Sequence, residues 1–274
     1  MKINSELPLC LFGDNNEINE YDFVLFHLYI SNKKYKEYYL NQRKYHPDRL
    51  MILDNSAYEY FIKREKLDLK EYHQVILELK PDMYILPDVL MDIEKTIIGV
   101  REFINMFGLE VGSSKPLAVL QGNKEEELLR CADIYKSWGI NNIAIPFHNK
   151  FFKNKGLEVS DDISKTFMDI YSNVNEDILY SMGRVLFMKE YGELIKLYFK
   201  HVHLLGSHCP YEKSFYKDFD TMDTSYPVKC AIVGWELGKE TEKPNIIIDH
   251  FLEEELPNDI KELIKKNINI FKDI

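Results

Sequence analysis

The residues of this chain best suited to chemistry sit where short apolar runs give way to loops. Asp54 closes "LMILD", Asp88 follows "MYILP", Gln121 and Gly122 close "PLAVLQG", and Asp223 stands in "TMDTSYP". Three carboxylates and a carboxamide facing one cavity would concentrate hydrogen-bonding and acid/base groups at a single place, the kind of constellation that chemistry uses. Each residue alone also has a plain structural reading. Asp54 competes with Asn55 and Ser56 to cap a helix, Asp88 is a turn or cap residue after a proline, Gln121 is a loop residue, and Asp223 forms an Asx-turn. As a set they resist that reading, because carboxylates buried together repel one another and lose hydration.

The elements that must position them are legible as eight apolar runs: 9–13, 23–30, 50–56, 83–89, 116–122, 142–147, 201–206 and 221–225. Amphipathic segments such as "LDLKEYHQVILELK", "IEKTIIGVREFINMFG" and "KEEELLRCADIYKSWG" lie between them, the last two closed by a glycine suited to a helix C-cap. Strand and helix in alternation imply a parallel sheet, and eight such units predict a TIM-type (β/α)8 barrel. No glycine-rich GxGxxG or Walker loop follows the early strands, which removes the usual reason for an open nucleotide-binding sheet. Active sites of such barrels lie at the C-terminal ends of the strands, and here those ends present Asp54, Asp88, Gln121 with Gly122, Pro146, Gly206 and Asp223. A long helical insertion over about 163–200 precedes the seventh strand, and a short α/β extension is expected over about 228–274. No repeat, low-complexity tract or linker divides residues 1–274, so one domain is expected.

Composition narrows the function. A net charge of −10 argues against a protein that coats nucleic acid non-specifically, though the lysine- and aromatic-bearing stretches "NKKYK" (32–36) and "HNKFFKNKG" (148–156) leave room for a local basic groove. No apolar run reaches the roughly 18 residues of a membrane span, and "MKINSELPLC" lacks a signal pattern, so a cytoplasmic protein with no membrane partner is expected. Cys10, Cys131, Cys209 and Cys230 are far apart and form no CxxC pair, so reduced thiols are expected.

The segments "LDNSAYEYF", "LPDVLMD", "LQGN", "IAIPF", "HLLG" and "DTSYP" resemble, in order and approximate spacing, the motifs of the tRNA-guanine transglycosylase superfamily. The likeness is greatest to its compact phage-type branch, the DpdA-like enzymes that insert 7-deazaguanines into DNA, and it covers residues from about 50 to 230. The resemblance implies a base exchange without a cofactor, with DNA and a free 7-deazaguanine base as partners, in a host cytoplasm if phage-encoded. It implies Asp223 as the nucleophile and Asp54 as the general acid/base. Tyr58 would stack on the purine, Asp88 would accept from guanine N1 and the exocyclic amine, Gln121 and the Gly122 backbone would meet the carbonyl edge, and Leu205, followed by Gly206, would close the opposite face. Where the family carries a glycine after the sixth strand this chain has "IPF", so backbone contacts from Ile145 or Pro146 take that place. The zinc-binding cysteine cluster of the tRNA enzymes is missing and their basic stretch after the nucleophile shrinks to "PVK", which favours DNA over tRNA.

Other readings remain beside this one. The same exchange on tRNA, or a non-catalytic partner subunit that keeps the barrel to bind nucleic acid, are the alternatives; a sugar glycosidase would place glutamates and tryptophans at strand ends, which Trp138 and Trp235 do not satisfy. "HVHLLGSHC" raises a metal reading through His201, His203, His208 and Cys209, set aside because no further acid is spaced as a partner and His201 starts its run, beyond the barrel; His203 is read as a packed or loop-contacting side chain. Arg184 is read as a salt-bridge partner rather than a phosphate ligand.

Overall fold

The computed structural model describes residues 1–158, 162–170, 174–216, 219–238, 244 and 246–274. Among them eight parallel strands form one sheet: β1 Lys2–Ser5, β2 Asp22–Leu25, β3 Met51–Asp54, β4 Met83–Ile85, β5 Lys115–Val119, β6 Asn142–Ile145, β7 His201–Leu204 and β8 Thr221–Thr224. Their order is β1-β8-β7-β6-β5-β4-β3-β2, a nearly closed (β/α)8 barrel whose seam lies between β1 and β2.

Side chains bridge that seam where the ladder does not. Asn4 Nδ2 donates to the Tyr21 carbonyl at 2.7 Å, Asn19 Oδ1 accepts from Ser5 N at 2.7 Å, and Asn19 Nδ2 returns a bond to the Ser5 carbonyl at 2.9 Å. The seam explains why the first strand is not the expected 9–13. "LCLFG" forms a 3-10 helix, Leu9–Asp14, entered from Pro8, with Leu11 and Phe12 buried. The true first strand "KINS" is too short and polar to announce itself, because its polar Asn4 is spent on closure. Likewise the run 23–30 is not one strand: after Leu25 it turns into the helix Phe26–Ser31.

Period-2 alternation sorts each strand into an inner and an outer row. Tyr21, Phe23, Ile52, Met83, Ile85, Leu117, Val119 and Ala144 fill the barrel interior. The opposite rows, including Val24, Leu53, Tyr84, Ala118, Ile143, Val202 and Met222, pack under the surrounding helices. The helices begin on side-chain caps where the sequence supplies them: Asp68 accepts from Lys70 N and Glu71 N, and Asp92 from Lys95 N. Gly108 and Gly139, at φ +88° and +77°, end the helices Ile93–Phe107 and Glu125–Ser137, as the sequence predicts.

The helical insertion before β7 is present as Asp162–Ile170 and Glu176–Tyr198; positions 171–173 of the expected stretch lie outside the described residues. The second helix packs so tightly on the helix Lys150–Gly156 that a Cβ at Gly183 would overlap the Phe152 carbonyl. The C-terminal extension follows β8. Among the described residues it holds the helices Tyr226–Ile232 and Asn258–Asp273 and the 3-10 turn Ile248–Phe251, with no strand. Positions 239–243 and 245 of that extension lie outside the described residues. No helix among the described residues is long and apolar enough to cross a membrane.

Candidate active site

Strand alternation carries the predicted residues to one end of the barrel. Asp54 lies two residues beyond the interior Ile52, Gln121 two beyond Val119, and Pro146 two beyond Ala144; Leu205 packs directly on the interior cluster. Asp223 is paired with Asn4 across β1–β8 and, with Asn4, Glu6, Phe23, Leu25 and Thr224, lines a cavity of about 30 Å³. That volume holds a water or two. A roomier cavity of about 210 Å³, lined by Met1, Lys213, Ser214, Tyr216 and Ile274, lies at the opposite end and carries no carboxylate side chain.

Asp223 is held from two directions. His203 Nε2 lies 3.1 Å from Oδ1, and the Gly206 N–H donates to the same oxygen at 2.9 Å. Gly206 adopts φ +62°, which a side chain would strain, and this turn aims its N–H at the carboxylate. Beneath the turn the fully buried Arg184 donates to the Leu205 and Gly206 carbonyls at 2.9 and 2.7 Å and pairs with buried Glu212 at 2.6 Å. Arg184 therefore braces the β7 loop from within, as a core ion pair and not as a phosphate ligand.

Asp54 occupies the end of β3, where Ser56 N donates to its Oδ2 at 2.7 Å. Ser56 is fully buried and sits at φ 59°, a conformation uncommon outside glycine. Its hydroxyl meets His27 Nδ1 at 2.8 Å, and His27 Nε2 meets Asp249 Oδ2 at 3.0 Å, so the 3-10 turn of the extension is tied to the β3 loop. Burial pushes the Asp54 carboxyl well above its usual range, and the charges of Glu59, Asp223 and Asp88 push it further against the Ser56 N–H. The site thus favours a protonated Asp54.

Asp88 is fixed by two amides. Asn55 Nδ2 donates to Oδ1 at 2.7 Å and Gln121 Nε2 to Oδ2 at 2.7 Å. Burial raises its pKa and these two donors pull it back. Gln121 Oε1 in turn accepts from Met91 N at 2.9 Å, so in this state Gln121 positions Asp88 and has its own edge occupied. The Gly122 carbonyl accepts from Asn149 at 2.7 Å, and a Cβ at Gly122 would press on Glu127. Tyr58 is 46% exposed and stacks on His148 with centroids 5.3 Å apart. That spacing leaves no room for a third ring between the two.

The histidine segment does not gather. His201 and His203 both bond Thr221 Oγ1 inside the barrel, correcting the placement of His201 outside it, whereas His208 pairs with Asp177 at 3.1 Å and Cys209 is buried in the outer core. Among the described residues no group of three His, Cys, Asp or Glu side chains is set to hold a metal ion. Of the basic stretch 148–156, Lys153 pairs with Glu176 and Lys155 with Glu190 at 3.0 Å, which spends those charges within the protein.

Sequence reasoning missed Glu6, Asn55, His27 and Asp249. Glu6 lies just past the end of β1, a strand expected from the sequence at 9–13 instead, and burial, reinforced by Asp249, lifts its pKa to about 8 despite Lys229. Asn55 was visible only as a rival cap. His27 and Asp249 are 222 positions apart, and nothing local marks them as partners. Comparison with protein-family models and with curated proteins gives no match for the chain. Fold and site together define a (β/α)8 barrel with a cluster of differently held carboxylates at its mouth.

Proposed function

We propose that this protein is a base-exchange transglycosylase that replaces guanine in DNA with a 7-deazaguanine, such as the 7-cyano form, through a covalent aspartyl-sugar intermediate. The observation that carries the reading is the meeting of Asp54, Asp88 and Asp223 at one barrel mouth in unlike settings: one favouring its proton, one held by amides, one clamped on a single oxygen.

The chemistry follows from those settings. A flipped guanine enters the mouth at a cost of a few kcal/mol of unstacking. An oxygen of Asp223 bonds to C1′ as the C1′–N9 bond breaks, and the departing electron pair is neutralised by the Asp54 proton. The strand stays attached through Asp223. An incoming 7-deazaguanine then passes its N9 proton to the Asp54 carboxylate, and its N9 displaces Asp223 from C1′. Asp88, steadied by Asn55 and Gln121, meets the N1 and amine edge of either base.

The test supplies isotopically labelled 7-cyano-7-deazaguanine with single-stranded DNA, duplex DNA or tRNA. Label entering DNA and released guanine in equal amount are expected. Label entering tRNA alone would move the substrate to RNA, and label entering neither polymer would overturn the reading.

A further inference from the structure

We propose that His201, Thr221 and His203 form a positioning line that fixes Oδ1 of Asp223 and thereby makes Oδ2 the attacking oxygen. What is attacked rests on the transglycosylase reading; the line itself rests on geometry.

The three contacts are His201 Nε2 to Thr221 Oγ1 at 2.8 Å, Thr221 Oγ1 to His203 Nδ1 at 2.9 Å, and His203 Nε2 to Asp223 Oδ1 at 3.1 Å. Their polarity follows from the end group. A carboxylate only accepts, so His203 carries its proton on Nε2; a neutral ring then accepts at Nδ1 from the single hydroxyl hydrogen of Thr221, whose oxygen accepts from His201 Nε2–H. Every donor points toward Asp223. His203 cannot turn away: it is fully buried, stacked on Phe23 at 5.1 Å and 21°, with Tyr21 edge-on at 6.5 Å. His201 is held neutral above about pH 4 by burial and by its neighbour His203, opposed by Asp220 and helped by Lys2, so the line carries no charge of its own at that end.

Both donors to Asp223, His203 and the Gly206 N–H, fall on Oδ1, and Oδ2 has no hydrogen-bond partner among the described residues. When Oδ2 bonds to C1′ and the C1′–N9 bond breaks, Oδ1 becomes the ester carbonyl and keeps both donors. When the incoming N9 displaces Oδ2, the returning negative charge spreads to an oxygen already solvated by fixed donors. The line therefore orients the attack and supports the departure of the same group, which a histidine packed only for volume does not do.

The test compares His203→Ala, His203→Gln and Thr221→Val in the exchange assay, with melting curves as folding controls. His203→Ala should lower kcat about 100-fold with KM for the free base unchanged, and His203→Gln should recover most of the loss because its Nε2 can still donate to Oδ1. Independently of activity, long-range proton–nitrogen spectra of the wild type should show His203 as the Nε2–H tautomer, with a shift of that signal in Asp223→Ala. An unchanged kcat in a folded His203→Ala, or an Nδ1–H tautomer at His203, would overturn the proposal. Should wild-type protein exchange no base, the function fails while the spectra still decide the positioning line; should His203→Ala not fold, Thr221→Val and the spectra decide it.

Discussion

Arg184 and Glu212 form an ion pair at 2.6 Å with both side chains excluded from solvent. Glu212 has further donors in Ser181, Ser207 and Tyr216 at 3.1, 2.9 and 2.8 Å, so the buried charges are well matched. The pair supports the turn whose N–H holds Asp223, which links core stability to the candidate site.

Removing one partner leaves the other charge buried. Arg184→Met should destabilise the fold by about 3–5 kcal/mol, whereas Arg184→Met with Glu212→Gln should cost markedly less. Denaturant midpoints of the two variants check this, and equal losses would mean that the pair acts through shape alone.

Glu6 makes stability depend on pH in an unusual direction. The folded chain holds this proton up to about pH 8 against an ordinary value of 4.5, so it binds more protons than the unfolded chain across that window and stability falls as pH rises through it. Glu6→Gln should remove that loss and exceed the wild type at pH 8 by up to about 4 kcal/mol, with little difference at pH 4. Urea unfolding at the two pH values measures the gap; a constant gap would assign Glu6 a different role.

The proposed acid role of Asp54 requires that it hold its proton. Burial, reinforced by the charges of Glu59, Asp223 and Asp88, raises its pKa, and a step that uses this proton should slow as pH climbs through the folded value. Asp54→Asn should reduce single-turnover guanine release by about 10²–10⁴-fold and abolish the alkaline limb of the rate profile. A variant that keeps both rate and limb would shift the proton donor elsewhere, with Glu6 the next carboxylate to try.

The barrel is readable because β2 to β8 fall in short apolar runs, with an apolar inner row at every second residue from β2 to β6, and because the intervening helices show clear stripes and glycine ends. β1 is not, since its Asn4 serves the seam instead of a hydrophobic row. Asp54, Gln121 and Pro146 are legible by counting from strand ends, a rule that carries over into three dimensions through strand pairing, whereas Leu205 enters only through the resemblance of "HLLG" to a family motif. The Gln121–Asp88 and Asn55–Asp88 bonds span 33 positions and depend on loop conformations that no local pattern encodes. His203 was underestimated for a related reason: its partners Thr221 and Asp223 are adjacent only through the β7–β8 pairing.

The central claim is the covalent bond between Asp223 and the sugar. Incubating the protein with a guanine-containing oligonucleotide, quenching in denaturant and sequencing the cross-linked peptide by mass spectrometry tests it directly. The expected result is a sugar-linked oligonucleotide on Asp223, discharged by added 7-deazaguanine and missing from Asp223→Asn. An adduct on another residue, or base exchange by Asp223→Asn at the wild-type rate, would contradict it.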